Sequence, residues 1–235
     1  MRIGQEIKDQ LMSKGASVVG FADLSCLPRE QTKGFGTGIL IGACIKPEII
    51  AGIHHGPTME YYEEYKRLNK LLNELAEYTA AFLKSKGFAA YPKTQSNVDV
   101  DEKTRRTELP HKTVATRAGV GWIGNCALLV TEEFGSAIRI SSVLTDAILD
   151  CGAPIVKSKC GDCQVCKKVC PGGAVSGENW NVCKDRDAFY NAFDCRKTAL
   201  ERSSKIGIND AICGLCILKC PWTERYLRAQ HPGGF

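Results

Sequence analysis

The sequence predicts a layered α/β domain over residues 1–150 followed by a smaller cysteine-rich module over residues 151–235. Three observations carry this reading. Apolar residues at helical spacing alternate with short strand-like runs through the first 150 residues. Beyond them the composition shifts to Cys, Gly, Pro and short helical pieces. The charge divides at the same place: residues 1–150 hold 18 Lys+Arg and 18 Asp+Glu, whereas residues 151–235 hold 13 against 8, so the net charge of +5 lies wholly in the second part.

The elements follow in order. Residues 3–15 place Ile3, Ile7, Leu11 and Met12 on one helical stripe. SVVGFA (17–22) and GILIGACI (38–45) read as buried strands, the second central. Thr58 caps a long helix from 59 to 86, closed by Gly87, with an apolar stripe through Tyr62, Tyr65, Leu68, Leu72, Leu75, Thr79 and Phe82. A strand at 88–91, a polar loop at 95–107 and a helix at 110–118 come next. The tight segment GVGWIG (119–124) precedes two strands, 127–131 and 137–144, separated by a turn at 133–135.

A chain of 235 residues with 44% hydrophobic and 24% charged residues buries a real core. No run of 18 apolar residues predicts a membrane helix, and the first 15 residues lack the apolar stretch of an export signal, so a cytoplasmic protein with no membrane partner is expected. Thirteen cysteines then read as metal ligands rather than disulfides, because the cytosol keeps thiols reduced. The basic excess of the second part admits a nucleic-acid patch. It is better read as an offset to metal–thiolate charge, since a four-thiolate iron–sulfur cube carries roughly −2.

Two cysteine groups carry the chemistry. The first is Cys160-x2-Cys163-x2-Cys166-x3-Cys170-Pro171, the spacing of bacterial two-cluster ferredoxins. Two-residue gaps wrap three corners of a cube, and the following helix carries the fourth thiolate to a second cube, with Pro171 ending that helix. The second group, Cys213-x2-Cys216-x3-Cys220-Pro221, has Asp210 where its first cysteine would stand. Two 4Fe–4S clusters need eight thiolates and the groups supply seven, so Cys183 or Cys195 is the eighth. Cys195 follows Phe189, Tyr190 and Phe193 on an expected helix, 187–203, that can hold its thiol inward; Cys183 lies in a Trp/Asn-rich loop. Crossover then assigns Cys160, Cys163, Cys166 and Cys220 to one cluster, and Cys170, Cys195, Cys213 and Cys216 to the other. Structural zinc also takes four cysteines, but rarely in two interleaved groups with Cys-Pro endings. Cys26, Cys44, Cys126 and Cys151 have no partner at ligand spacing and receive no role.

The run HKTVATRAGVGWIG (111–124), the segments 127–131 and 134–135, SSVLTD (141–146) and the two cysteine groups together resemble epoxyqueuosine reductases, whose core is shared by corrinoid-dependent reductive dehalogenases. The likeness is good over about 105–222 and loose before it. It implies a nitroreductase-like, cobalamin-binding α/β domain joined to a two-cluster ferredoxin-like module, in which the clusters feed electrons to cobalamin for reduction of a small-molecule substrate. It also places the intervening ligand in a helix before the second group, where Cys195 stands. A ferredoxin- or flavodoxin-type electron donor follows. Two departures stand out: Asn125 replaces the Lys usual after GWIG, and the chain ends 13 residues after Trp222, where those enzymes continue into a tRNA-contacting region, so a tRNA substrate is not expected.

By its residues alone, GVGWIG admits two readings. Gly119, Gly121 and Gly124 allow close backbone approach, and Trp122 either walls a cofactor or fills the core of a tight turn. The resemblance implies the first, with Gly121, Trp122, Gly124, Ser141 and Ser142 against the cofactor and Lys112 at its edge. It implies an acidic proton donor before the helix, for which Glu108 is the nearest residue, with His111 at the helix start as a second candidate. Tyr61, Tyr62 and Tyr65 are expected in the core, and His54-His55 in a solvated loop. A cobalamin-free electron-transfer protein docking a redox partner is the alternative function, and an iron–sulfur sensor a third. The extra α/β domain favours a substrate or cofactor site.

Overall fold

A computed structural model describes residues 3–230. In chain order the elements are α1 (Ile3–Ser13), β1 (Val18–Asp23), α2 (Arg29–Thr32), β2 (Thr37–Cys44), α3 (Pro47–Ala51), α4 (Met59–Ser85), β3 (Ala90–Lys93) and α5 (His111–Arg117). The chain continues through β4 (Trp122–Ile123), β5 (Leu129–Val130), β6 (Ile138–Thr145), α6 (Val165–Val169), α7 (Ala192–Ser204), α8 (Leu215–Leu218) and α9 (Pro221–Gln230). The expected mixed α/β architecture is present. Among the described residues, no helix is long and apolar enough to cross a membrane.

The chain divides into two compact units. The first comprises 1–44, 68–121 and 139–156; the second comprises 45–67, 122–138 and 157–235. Segments 45–67 and 122–138 thus group with the cysteine-rich residues rather than with the rest of the first 150.

In the first unit a sheet runs in the order β1-β2-β6-β3. β1 and β2 are antiparallel, Val18 opposite Gly42 and Asp23 opposite Thr37. β3 and β6 are antiparallel, Ala90 opposite Thr145 and Lys93 opposite Ser142. β2 is buried along nearly its whole length, as a continuous apolar run requires when both faces are covered. α5 packs on β1 and β2. Glycines in the strands permit that approach: a Cβ at Gly20 would lie 2.5 Å from Val120, and one at Gly38 would lie 2.9 Å from Val114. α1 contributes Ile7 and Leu11 to the core, and α4 contributes Leu68, Leu72, Leu75 and Thr79, as their spacing predicts. The ends of the α4 stripe differ from expectation. Tyr61 is buried rather than Tyr62 or Tyr65, and Leu83 rather than Phe82. At 3.6 residues per turn the buried face drifts across a 27-residue helix.

In the second unit α8 packs on α3, α6 and α9. Tyr226 donates its hydroxyl to Ile45 O at 3.1 Å and stacks edge-on against Phe134, centroids 5.5 Å apart. Gly135, at φ +56°, lies flat on the start of α9, where a Cβ would meet Thr223 N at 2.2 Å. These contacts tie 45–67 and 122–138 to the cysteine segments. β4 and β5 form a two-residue hairpin pairing, Trp122 opposite Val130; the strand expected at 127–131 is shorter, and β4 falls in the segment read as a tight turn. The helix carrying Cys195 starts at Ala192, not 187. Asn191 caps it by accepting from Phe193 N and Asp194 N, while Arg186–Ala188 forms a separate 3₁₀ turn capped by Asp185.

Candidate functional site

The second unit holds a cavity of about 260 Å³ lined by six cysteines: Cys126, Cys160, Cys163, Cys166, Cys216 and Cys220. The first group wraps it from the loop before α6, and α8 with the start of α9 closes the other side. Gly124 lies beside the first thiol, a Cβ there falling 3.6 Å from Cys160 Sγ and only 2.7 Å from Val130. Asn125 is fully buried. Its amide donates to Cys163 O at 3.1 Å and Gly177 O at 3.2 Å, tethering the loop between the first two cysteines and α6. Its Oδ1 has no hydrogen-bond partner, nor does the buried Trp122 Nε1. Trp122 packs edge-on against Trp222 with centroids 4.9 Å apart.

The cavity rim is basic. Lys159 stands 5.5 Å over the Trp122 ring and pairs with Glu132 at 2.6 Å, and Arg225 lies 4.4 Å over the Trp222 ring. Both are exposed at their ends.

Cys195 lies on α7. Burial pushes the Cys195 thiol up, the Tyr190 hydroxyl opposes this by hydrogen-bonding to it, and Cys170 and Cys213 are its charged neighbours. Tyr190 itself is pushed well up by burial and by Cys195. Cys183 is exposed, in a turn where its N–H donates to Asn181 Oδ1. Cys26 and Cys151 are exposed as well, so of the four cysteines given no role only Cys126 is fully buried. Among the described residues, no three His, Cys, Asp or Glu side chains converge on one ion position. A 4Fe–4S cube asks for something different, four thiolates around a volume with each on its own iron.

The first unit holds a separate cavity of about 290 Å³, lined by Asn69, Asn73, Lys93, Gln95, His111, Arg139 and Ser141 with Leu72, Val98, Val100 and Ile140. His111 Nδ1 and Ser142 Oγ are 2.8 Å apart, Ser141 Oγ donates to Lys93 O at 2.9 Å, and Lys93 Nζ donates to Leu109 O. Burial lowers His111 to about 3, with Lys93 and Arg139 adding to the fall, so its imidazole is neutral. Burial likewise lowers Lys93 to about 8; Lys33 reinforces the fall and Glu108 opposes it. Lys93 therefore titrates near physiological pH. It was not singled out in the sequence, where the only signal is a Lys ending a short strand.

The predicted residues are thus distributed. His111, Ser141 and Ser142 meet around Lys93. Glu108 is exposed, pairs with Lys33 at 3.6 Å, and lines a different cavity of about 280 Å³ that Lys93 also borders. Lys112 is half-buried at the start of α5. Gly121 ends a segment of the first unit, whereas Trp122 and Gly124 belong to the second and stand with the cysteines.

A mixed α/β unit and a cavity lined by six cysteines are the features to set beside known proteins. No protein-family model matches the chain. Among curated proteins it is 31% identical over 168 residues to an epoxyqueuosine reductase of Atelocyanobacterium thalassa, covering 71% of this chain and 51% of that one. It is 39% identical over 122 residues to the enzyme of Listeria monocytogenes, covering 50% and 30%. In structure it is similar to epoxyqueuosine reductase from Bacillus subtilis, with a TM-score of 0.61 and 19% identity over 95% of this chain and 66% of that one. It is also similar to the catabolic reductive dehalogenase NpRdhA, with a TM-score of 0.73 and 18% identity over 92% and 31%. The chain is a homologue of the epoxyqueuosine reductases, as its motifs indicated, and spans about half the length of the curated relatives it matches.

Proposed function

We propose that the chain is an oxidoreductase holding two 4Fe–4S clusters, one on Cys160, Cys163, Cys166 and Cys220 and one on Cys170, Cys195, Cys213 and Cys216. The observation that carries it is the gathering of the thiols. All four cysteines of the first set line one cavity, with Cys216 of the second set and Cys126 beside them, and Cys170 and Cys213 are the thiols whose charge bears on Cys195. The donor set is all thiolate, as such clusters require, and the clusters supply electrons one at a time. The chain's own residues hold and tune them. Asn125 fixes the Cys163 loop, Gly124 leaves room beside Cys160, and Lys159 and Arg225 offset cluster charge from the rim.

The substrate pocket is the Lys93–His111 cavity. Arg139 and Lys93 set its charge, and neutral His111, oriented by Ser142, offers a hydrogen bond without a cation. Lys93, near 8, is the group able to give a proton at neutral pH. Glu108, paired with Lys33, remains a second donor candidate, and His111 as a protonated acid is disfavoured by its burial.

Cobalamin as the electron acceptor is supported by kinship: one structural neighbour is described as performing B12-dependent dehalogenation. Gly121, Trp122, Gly124, Ser141, Ser142 and Lys112 are the residues that kinship proposes for it. A cavity of about 290 Å³ suits a small substrate rather than a whole corrin. The basic rim formed by Lys159 and Arg225 supports a second reading, a cobalamin-free carrier docking an acidic redox partner such as a ferredoxin or flavodoxin. An anaerobic absorbance titration with cobalamin under reducing conditions separates the two. Saturable spectral change at tens of micromolar supports the reductase; no change with both clusters intact leaves the carrier.

A further inference from the structure

Cys126 sits at no ligand spacing in the sequence, yet it is 5% exposed and lines the cavity with Cys160, Cys163, Cys166, Cys216 and Cys220. Cys166 and Cys216, which line the same cavity, are the thiols whose charge bears on it most. These two occupy the same place in their groups, each four residues before the cysteine of the Cys-Pro ending. Cys166 lies on α6 and Cys216 on α8, and the two short helices pack together. Cys126 therefore shares a cavity with a thiol of each proposed cluster.

The backbone holds it there. Ala127 N–H donates to Gly124 O at 2.8 Å, Gly124 N–H donates to Leu128 O at 2.9 Å, and Ala127 takes φ +58° to close this turn. The neighbouring Asn125 amide anchors the turn to Cys163 O and Gly177 O. Asn125 lines the same cavity, and among the described residues its buried Oδ1 has no hydrogen-bond partner.

We propose that Cys126 is a positioning residue shared by the two clusters, donating its S–H to the ligating sulfur of Cys166 or Cys216 without itself binding iron. The inference rests on the two-cluster reading above, whose eight ligands are complete without it. A hydrogen bond to a ligating sulfur draws off negative charge, favours the more negative reduced cluster and raises its potential.

The test uses the full chain purified anaerobically as wild type, Cys126→Ala, Cys126→Val and Cys126→Ser. Iron and sulfide are assayed, and potentials are read by redox titration followed by electron paramagnetic resonance. The Ala and Val variants should keep the wild-type iron while their reduced-to-oxidised ratio at fixed potential falls about three- to tenfold, tenfold being ~59 mV for one electron. Ala is smaller than Cys and Val larger, so a fall seen in both variants is not a packing effect. Cys126→Ser, which keeps a donor, should return most of the shift. Loss of about half the iron in Ala and Val would make Cys126 a ligand and overturn the proposal. Unmoved potentials at full iron content would overturn it too and leave the two-cluster reading intact. A wild-type protein without clusters would remove both.

Discussion

Asn125→Ala perturbs the thiol cavity without touching a sulfur. Asn125 Nδ2 donates to Cys163 O and Gly177 O, and Gly177 O also accepts from Gln164 Nε2 at 2.9 Å. The variant thus leaves Gly177 O served and takes the Asn125 donor from Cys163 O. One lost hydrogen bond costs about 1 kcal/mol, and a part-buried carbonyl that loses its donor costs up to about 3 kcal/mol. Removing Oδ1, already unpartnered, offsets part of this. The expected net loss is about 1.5–3 kcal/mol, roughly a ten- to hundredfold shift in the folding equilibrium. Anaerobic urea denaturation followed by far-UV dichroism and by cluster absorbance reads it as a lower midpoint at unchanged slope. Asn125→Asp, which turns a second oxygen toward the same carbonyls, should cost more than Ala. A change below about 0.5 kcal/mol in Asn125→Ala, the range of neutral surface substitutions, would refute the tether.

Other outcomes follow from particular contacts. Cys195→Ala should lose about half the bound iron while Cys183→Ala keeps it; the reverse would move the eighth ligand into the 181–184 turn. Lys93 is lowered in the folded state, so the unfolded chain binds more protons between about pH 8 and the ordinary lysine value, and stability rises with pH across that window. Lys93→Met should abolish that rise, as paired denaturation curves at pH 8 and 10 would record. His111 is lowered to about 3, so stability is lost as pH falls from its ordinary value of 6.5 toward 3, and His111→Gln should flatten that part of the profile. Gly135→Ala, forced to keep φ +56° with a Cβ 2.2 Å from Thr223 N, should cost about 2 kcal/mol or more in thermal unfolding.

What was legible in the sequence is what short-range rules write. The α1 and α4 stripes, the apolar β2 run and the two Cys-Pro groups each declare themselves within a few residues. The start of α7 was missed because Phe189 and Tyr190 extend the apolar pattern backwards, while the Asn191 cap decides the boundary. Long-range assembly was not legible. Nothing local says that 45–67 and 122–138 pack with the cysteine segments, because Gly135 against Thr223 and Tyr226 on Ile45 join residues far apart in sequence. For the same reason Lys93 and Cys126 were invisible as site residues. Each owes its character to burial beside groups that arrive from other elements.

Metal content tests the central claim most directly. Protein purified anaerobically should carry about eight iron and eight acid-labile sulfide per chain, as two cubes on eight thiolates demand. About four iron, or stoichiometric zinc in its place, would contradict it.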